Sequence, residues 1–320
     1  MDEAPEPGHT ATGCDPTGCG RNRTDPTTNA RRARRPHQPP QTTTPPLADH
    51  QSTGGSAMTE TTVAEQQARQ DAIRINRVSL EQPWEWLDKG WHDMIRARKY
   101  SLTYGAVIVL ISGLITLGFV NEGLTFMVPF LIAGFYLLAP IIGLGLYQMS
   151  ARLERGEKLH FCHFLEAWKG NQSQLGVITA GLLIIMQLWM MSNFVLFALL
   201  YTGMHPPLDN FFSTVFLSGE NNAFALASIS VGFVLAGVAY AISAISVPML
   251  MDRDVDGFTA IRTSVKAVIE NWQAMMLWAG LIVMFIALGL MSFYIGLFVA
   301  MPLVGHATWH AYRDIVPPQD

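Results

Sequence analysis

The chain has 320 residues, half of them hydrophobic and only 14% charged, against about 25% charged in typical soluble domains. That balance excludes an ordinary water-soluble globule. The net charge of −4 says little, because the charges are clustered, and three cysteines (Cys14, Cys19 and Cys162) provide no disulfide framework. Cys14 and Cys19 are spaced for a metal, but no further ligand pair lies nearby.

Residues 1–57 hold nine of the eighteen prolines and the basic run Arg31-Arg32-Ala33-Arg34-Arg35. Such a composition buries too little apolar surface to offset the entropy of ordering. Residues 1–72 are therefore expected to be a disordered tail. No apolar signal region follows Met1. Met58-Thr59-Glu60-Thr61 reads as a natural start, with the preceding stretch an over-extended gene start.

From Ile73 to Val316 the texture is that of an integral membrane domain, with 317–320 a short tail. Pro83 sits where a first helical turn begins. Trp84, Leu87, Trp91 and Met94/Ile95 then recur at helical spacing between Glu85, Asp88, Lys89 and Asp93, the pattern of an interfacial amphipathic helix. We expect its Trp84–Leu87–Trp91 face to brace the hairpin that follows, since Arg96, Arg98 and Lys99 already suit a headgroup anchor. Ser101–Val120 is the first apolar span, Asn121-Glu122-Gly123 the turn, and Leu124–Met149 the return, with a kink expected at Pro140.

The order then recurs. Phe161, Phe164/Leu165 and Trp168 share a face, and Leu175–Gly203 and Ala223–Met251 form a second pair of spans. Phe258, Ile261, Val265 and Val268/Ile269 mark a third amphipathic helix. Asn271–Gly305 follows, 35 residues without an Asp, Glu, Lys, Arg or His. One crossing needs about 20 apolar residues. We therefore read Asn271–Gly289 and Met291–Tyr312 as a tight hairpin, reversing within Leu288–Ser292. The expectation is an all-α polytopic protein of about six spans, three hairpins each preceded by an amphipathic helix. Beyond residue 100 all eight Lys and Arg fall on one side of this arrangement. By the positive-inside rule that side, with both termini, is cytoplasmic.

No Asp, Glu, Lys or Arg lies inside a span, which argues against an ion-coupled transporter. Gln187 and Asn193 are the most polar groups within the spans, and Gln187 is expected to hydrogen-bond a neighbouring helix. Ser228, Gly232 and Ala236, spaced four apart, should allow close helix packing, as should Ala139 with Gly143 and Gly296 with Ala300. His306, His310 and Asp314 follow one another at four-residue intervals and are candidate metal ligands, with His160, Cys162 and His163 as possible additions. Interfacial anchoring is the competing reading, since the third position drifts by about 80° around the helix.

The run from Gly305 through Trp309 to Asp314, together with Pro83-Trp84-Glu85-Trp86-Leu87 and the basic residues after it, resembles an uncharacterised family of bacterial predicted integral membrane proteins. Some members carry the label cytochrome c oxidase subunit I. The resemblance covers about residues 73–316 and implies a multi-pass protein of the bacterial inner membrane, with no established activity. A haem-copper core needs about a dozen spans and several intramembrane histidines, which this chain does not have. A histidine-box di-iron enzyme needs more such boxes than His306-x3-His310 supplies. The expected role is a membrane scaffold or assembly factor without catalytic activity or cofactor. Its partners would be the lipid bilayer and other membrane proteins or itself, not nucleic acid. The alternatives are a passive or lipid-directed transporter and a metal- or haem-associated accessory of a respiratory complex.

Overall fold

A computed structural model of the chain describes residues 73–124, 128–160, 172–201, 219 and 221–318, which fall in one compact unit, Gln67–Asp320. Among them the regular structure is all helical: α1 Gln82–Arg96, α2 Arg98–Asn121, α3 Val128–Ile142, α4 Leu144–Glu154, α5 Gln172–Leu200, α6 Asn222–Ser243, α7 Ser246–Asp252, α8 Gly257–Glu270, α9 Trp272–Met291 and α10 Leu297–Ile315. The expected tail, residues 1–72, and the amphipathic piece around Phe161–Trp168 lie outside the described residues.

Among the described residues five stretches are long and apolar enough to cross a membrane: α2, α3 with α4 from Leu131, α5, α6 with α7, and α9. At ~1.5 Å per residue the 24 residues of α2 reach about 36 Å, more than a hydrocarbon core of about 30 Å. Their outer flanks expose Leu110, Leu114, Phe194, Leu199 and Phe233. In water such surface would be costly, whereas lipid accommodates it.

The helix expected as a sixth crossing is α10. It folds back on α9, but its second half is polar and does not meet the same composition. The reversal falls at 292–296 rather than within Leu288–Ser292, because α9 continues to Met291. Ser292 builds the turn: its Oγ accepts from Gly296 N at 2.8 Å and donates to the Gly289 carbonyl at 2.9 Å. Phe293 and Tyr294 take left-handed backbone angles (φ 54° and 67°), and the Tyr294 hydroxyl pairs with Thr116 Oγ1 at 2.7 Å. A Cβ at Gly296 would stand 2.8 Å from Gly289 Cα, so both glycines are needed where the two helices of the hairpin meet.

Two long helices are broken. The kink expected at Pro140 becomes a break at Gly143, between α3 and α4. A second break, not foreseen, separates α6 from α7 at Ala244–Ile245. Ser264 of α8 fills it: its Oγ donates to the Ala241 carbonyl at 2.7 Å and accepts from Ile245 N at 3.1 Å. Backbone groups freed by the break thus find a partner, as they must in an apolar surrounding.

The three units close on one another cyclically. Tyr100, at the start of the first span, donates to the Leu159 carbonyl at 2.8 Å, ahead of the second unit. Gln174, at the start of the third span, accepts from Gly257 N at 2.8 Å, where the third unit begins. Asn271, leading into α9, accepts from Val78 N at 2.8 Å and donates to the Asn76 carbonyl at 3.0 Å, just ahead of α1. Each unit thus holds the approach to the next, and the third holds the first.

The main core lies at one end of the bundle, where Trp86, Ile245, Met249, Trp278, Trp309 and Tyr312 are buried together. α1 packs along α10 through Pro83, Trp86, Gly90 and Met94. A Cβ at Gly90 would fall 2.7 Å from Ala307 N, so this contact requires glycine. Trp86 meets Trp278 edge to face, with centroids 5.7 Å apart. This overturns the expected bracing role of the neighbouring face. Trp84 is 55% and Trp91 46% exposed, and it is the Trp86–Gly90–Met94 face that packs.

Within the spans, Asn193 makes the interhelical bond expected of Gln187. Its amide oxygen accepts from Ser228 Oγ across the α5–α6 contact, and its nitrogen donates to the Trp189 carbonyl at 2.8 Å. Gln187 instead lies exposed on α5. Gly232 allows Trp189 to approach α6, as the Ser228–Gly232–Ala236 spacing predicts.

Candidate functional site

The second half of α10 carries the candidate ligands His306, His310 and Asp314. His306 is wholly buried, with Ser101 Oγ of α2 at 2.9 Å from its Nε2 and Ser150 Oγ of α4 at 2.7 Å from its Nδ1. Ser150 Oγ is in turn 2.7 Å from Asp93 Oδ2 of α1, and the same carboxylate oxygen is 2.8 Å from His310 Nε2. The chain Ser101–His306–Ser150–Asp93–His310 therefore joins α1, α2, α4 and α10.

Proton bookkeeping fixes its direction. A carboxylate only accepts, so the single hydroxyl proton of Ser150 goes to Asp93. Ser150 Oγ must then accept from His306, whose proton sits on Nδ1. That leaves Nε2 of the neutral ring to accept from Ser101. Every link is satisfied, which a buried polar chain requires if it is not to cost stability. Burial pushes the Asp93 carboxyl up. Hydrogen bonds from His310 and Ser150, together with the positive charge of a protonated His310, outweigh it and hold the carboxyl below its ordinary value.

Asp314 faces elsewhere. It accepts from Trp86 Nε1 at 2.9 Å and pairs with Lys89 Nζ at 3.1 Å. The candidate ligands His306, His310 and Asp314 thus have three different sets of partners: two serines, Asp93, and Trp86 with Lys89. Among the described residues no three His, Cys, Asp or Glu side chains come together as a metal-ligand group. Cys162 and His163 lie outside the described residues.

A second cluster ties the ends of α4, α7 and α10. Glu154 accepts from Arg313 Nη2 at 2.7 Å and from Trp309 Nε1 at 3.1 Å. Asp252 accepts from the Tyr312 hydroxyl at 2.7 Å and stands 3.5 Å from Arg313 Nη1. Arg253 donates to the Tyr312 oxygen at 2.9 Å and to the Val316 carbonyl at 3.2 Å. These ends are the corresponding points of the three repeats expected from the sequence. Sequence reasoning passed over Asp93, Ser101, Ser150, Glu154 and Asp252. The signal that finds the last two is the acid–base pair closing each unit: Glu154-Arg155, Asp252-Arg253 and Arg313-Asp314.

Residues 127–252 match DUF2189, predicted integral membrane protein. This is the class of family that the chain resembles by its sequence, and the protein is an integral membrane protein with several membrane-crossing helices. The match contains Ser150, Glu154 and Asp252, while α1 and α10 lie outside it. No curated protein and no solved structure matches the chain.

Proposed function

We propose that the protein is a non-catalytic scaffold or assembly factor of a bacterial inner membrane, with the core end of the bundle on the cytoplasmic side. The observation that carries this reading is how the polar side chains are used. Asp93, Glu154, Asp252, His306, His310 and Asp314 each bond to another helix. An enzyme or a coupled transporter needs such groups aimed at a substrate or an ion path. Here they fix helix positions, and the outer apolar flanks are what the protein offers to others. The one-sided placement of Lys and Arg supports the orientation.

Photo-crosslinking in the native membrane tests the proposal. Benzoylphenylalanine placed at Leu114, Phe194 or Phe233, all exposed, should yield a discrete protein adduct from at least one position. Lipid scrambling or solute flux by proteoliposomes above protein-free vesicles, with no adduct at any position, would favour transport and overturn it.

A further inference from the structure

By the standards of a soluble protein α8 is turned inside out. Its buried face consists of the small residues Gly257, Thr259, Ala260, Thr263, Ser264 and Ala267. Those residues let it lie close against α6 and α7. Two large apolar side chains point the other way, Phe258 at 71% and Ile269 at 67% exposed, with Ile261 and Val265 half-buried between them. These four floor a groove of about 500 Å³, with Arg262 and Lys266 along one edge. On a helical wheel the two cations lie roughly 40° and 80° from Phe258, one turn apart and on the same flank. Glu270, 3.8 Å from Lys266, closes that flank on its far side.

The apolar strip does not stop with the helix. Trp272, 62% exposed, opens α9, and Met276 and Val283 continue its line along the exposed side of that span. A surface continuous with the flank of a membrane-crossing helix lies at the depth of the headgroups and upper acyl chains. The first unit shows the same placement independently. Trp84, Trp91 and Ile95 form an exposed apolar edge on α1, directly before Arg96, Arg98 and Lys99.

We infer that the outer face of α8 binds an anionic phospholipid, with its phosphate on Arg262 and Lys266 and an acyl chain along the groove from Phe258 to Ile269. A planar guanidinium presents paired donors to phosphate oxygens, and a lysine adds a point charge. A zwitterionic lipid fits the groove equally well, but its own ammonium group offsets the attraction of the basic pair.

The test is native mass spectrometry of the full-length protein in detergent, titrated with phosphatidylglycerol or phosphatidylcholine. The wild type should retain phosphatidylglycerol in preference. Arg262→Gln with Lys266→Gln should reduce that retention by about tenfold, to the phosphatidylcholine level, with the melting temperature in detergent unchanged. Phe258→Ala with Ile269→Ala should weaken both lipids alike. Equal retention of the two lipids by the wild type would overturn the assignment, and so would unaltered phosphatidylglycerol binding in the double glutamine variant. A lipid-free dimer dissolved by Phe258→Ala would overturn it in favour of a second copy on this face. None of these outcomes depends on the scaffold reading, which crosslinking at the spans tests separately.

Discussion

Ser150→Ala is the sharpest perturbation of the buried chain, because Ser150 both donates and accepts. Without its hydroxyl, the His306 Nδ1 proton loses an acceptor at 2.7 Å and Asp93 loses a donor at 2.7 Å. An unsatisfied buried donor costs about 1–3 kcal/mol, and a bond to a charged group contributes about 1.5–3 kcal/mol. Asp93 keeps His310 at 2.8 Å, so the loss there is partial, and a total near ~3 kcal/mol is expected. At roughly 2–4 °C per kcal/mol for a domain of this size, the melting temperature in detergent should fall by about 6–12 °C. The double-mutant cycle with His306→Phe is the decisive measurement. Once the imidazole is gone, no buried donor is left unpaired by removing the serine, so Ser150→Ala should cost much less in the Phe background. A single-variant loss under ~0.5 kcal/mol, or strict additivity across the cycle, would refute the proton assignment.

Other expectations follow from the same geometry. Because the Asp93 carboxyl is held below its unfolded value, it stabilises the protein above about pH 4, and that contribution is lost as pH falls through the folded value. The melting-temperature gap between wild type and Asp93→Asn should therefore narrow on acidification, and a constant gap from pH 6 to pH 3 would count against it. Trp86→Ala, removing a wholly buried ring bonded to Asp314, should cost about 3–5 kcal/mol. Trp91→Ala, at an exposed edge, should leave the detergent melting temperature almost unchanged. Reporter fusions after Asn121 should read periplasmic and those after Arg155, Gly257 and Asp320 cytoplasmic; a periplasmic C-terminus would remove α10 as a crossing. Chelation with EDTA should not lower the melting temperature, since His306, His310 and Asp314 each have protein partners; a clear drop would favour the metal reading.

Much of the architecture was legible because it depends on local composition. Apolar blocks of about 20 residues mark the crossings, Pro83 marks the start of α1, and small residues mark the α5–α6 contact. What was not legible depends on contacts distant along the chain. Ser101 and Ser150 are separated from His306 by 205 and 156 residues, so no spacing rule links them, and an isolated serine in an apolar run reads as helix packing. The four-residue rhythm of His306, His310 and Asp314 was real, but each position turns far enough around α10 to meet a different neighbour. Gln187 and Asn193 looked alike on polarity alone; six residues apart, they point to different sides of α5, and only Asn193 is on the side that meets Ser228 of α6.

The inverted reading of α1 has a more general cause. Periodicity identifies which residues share a face, but not which solvent that face meets. Arg96, Arg98 and Lys99 read as anchor enough for the headgroups, which assigns Trp84 and Trp91 to packing; beside lipid both the cations and the large apolar stripe can face outward. Beside a bilayer the inner contact is instead selected for closeness. Gly90 against Ala307 in the first unit, and Ala260 and Ser264 against α6 and α7 in the third, are both small-residue contacts. Cyclic closure makes these two contacts equivalent: α8 packs on the second span of the unit before it, and α1, whose preceding unit is the last, packs on α10. Once the threefold order of elements is recognised, the partner of α1 follows from that of α8. The faces differ in make-up: on α8 the buried side is small throughout, whereas on α1 a single glycine, Gly90, permits the close approach and Trp86 and Met94 fill the space on either side of it.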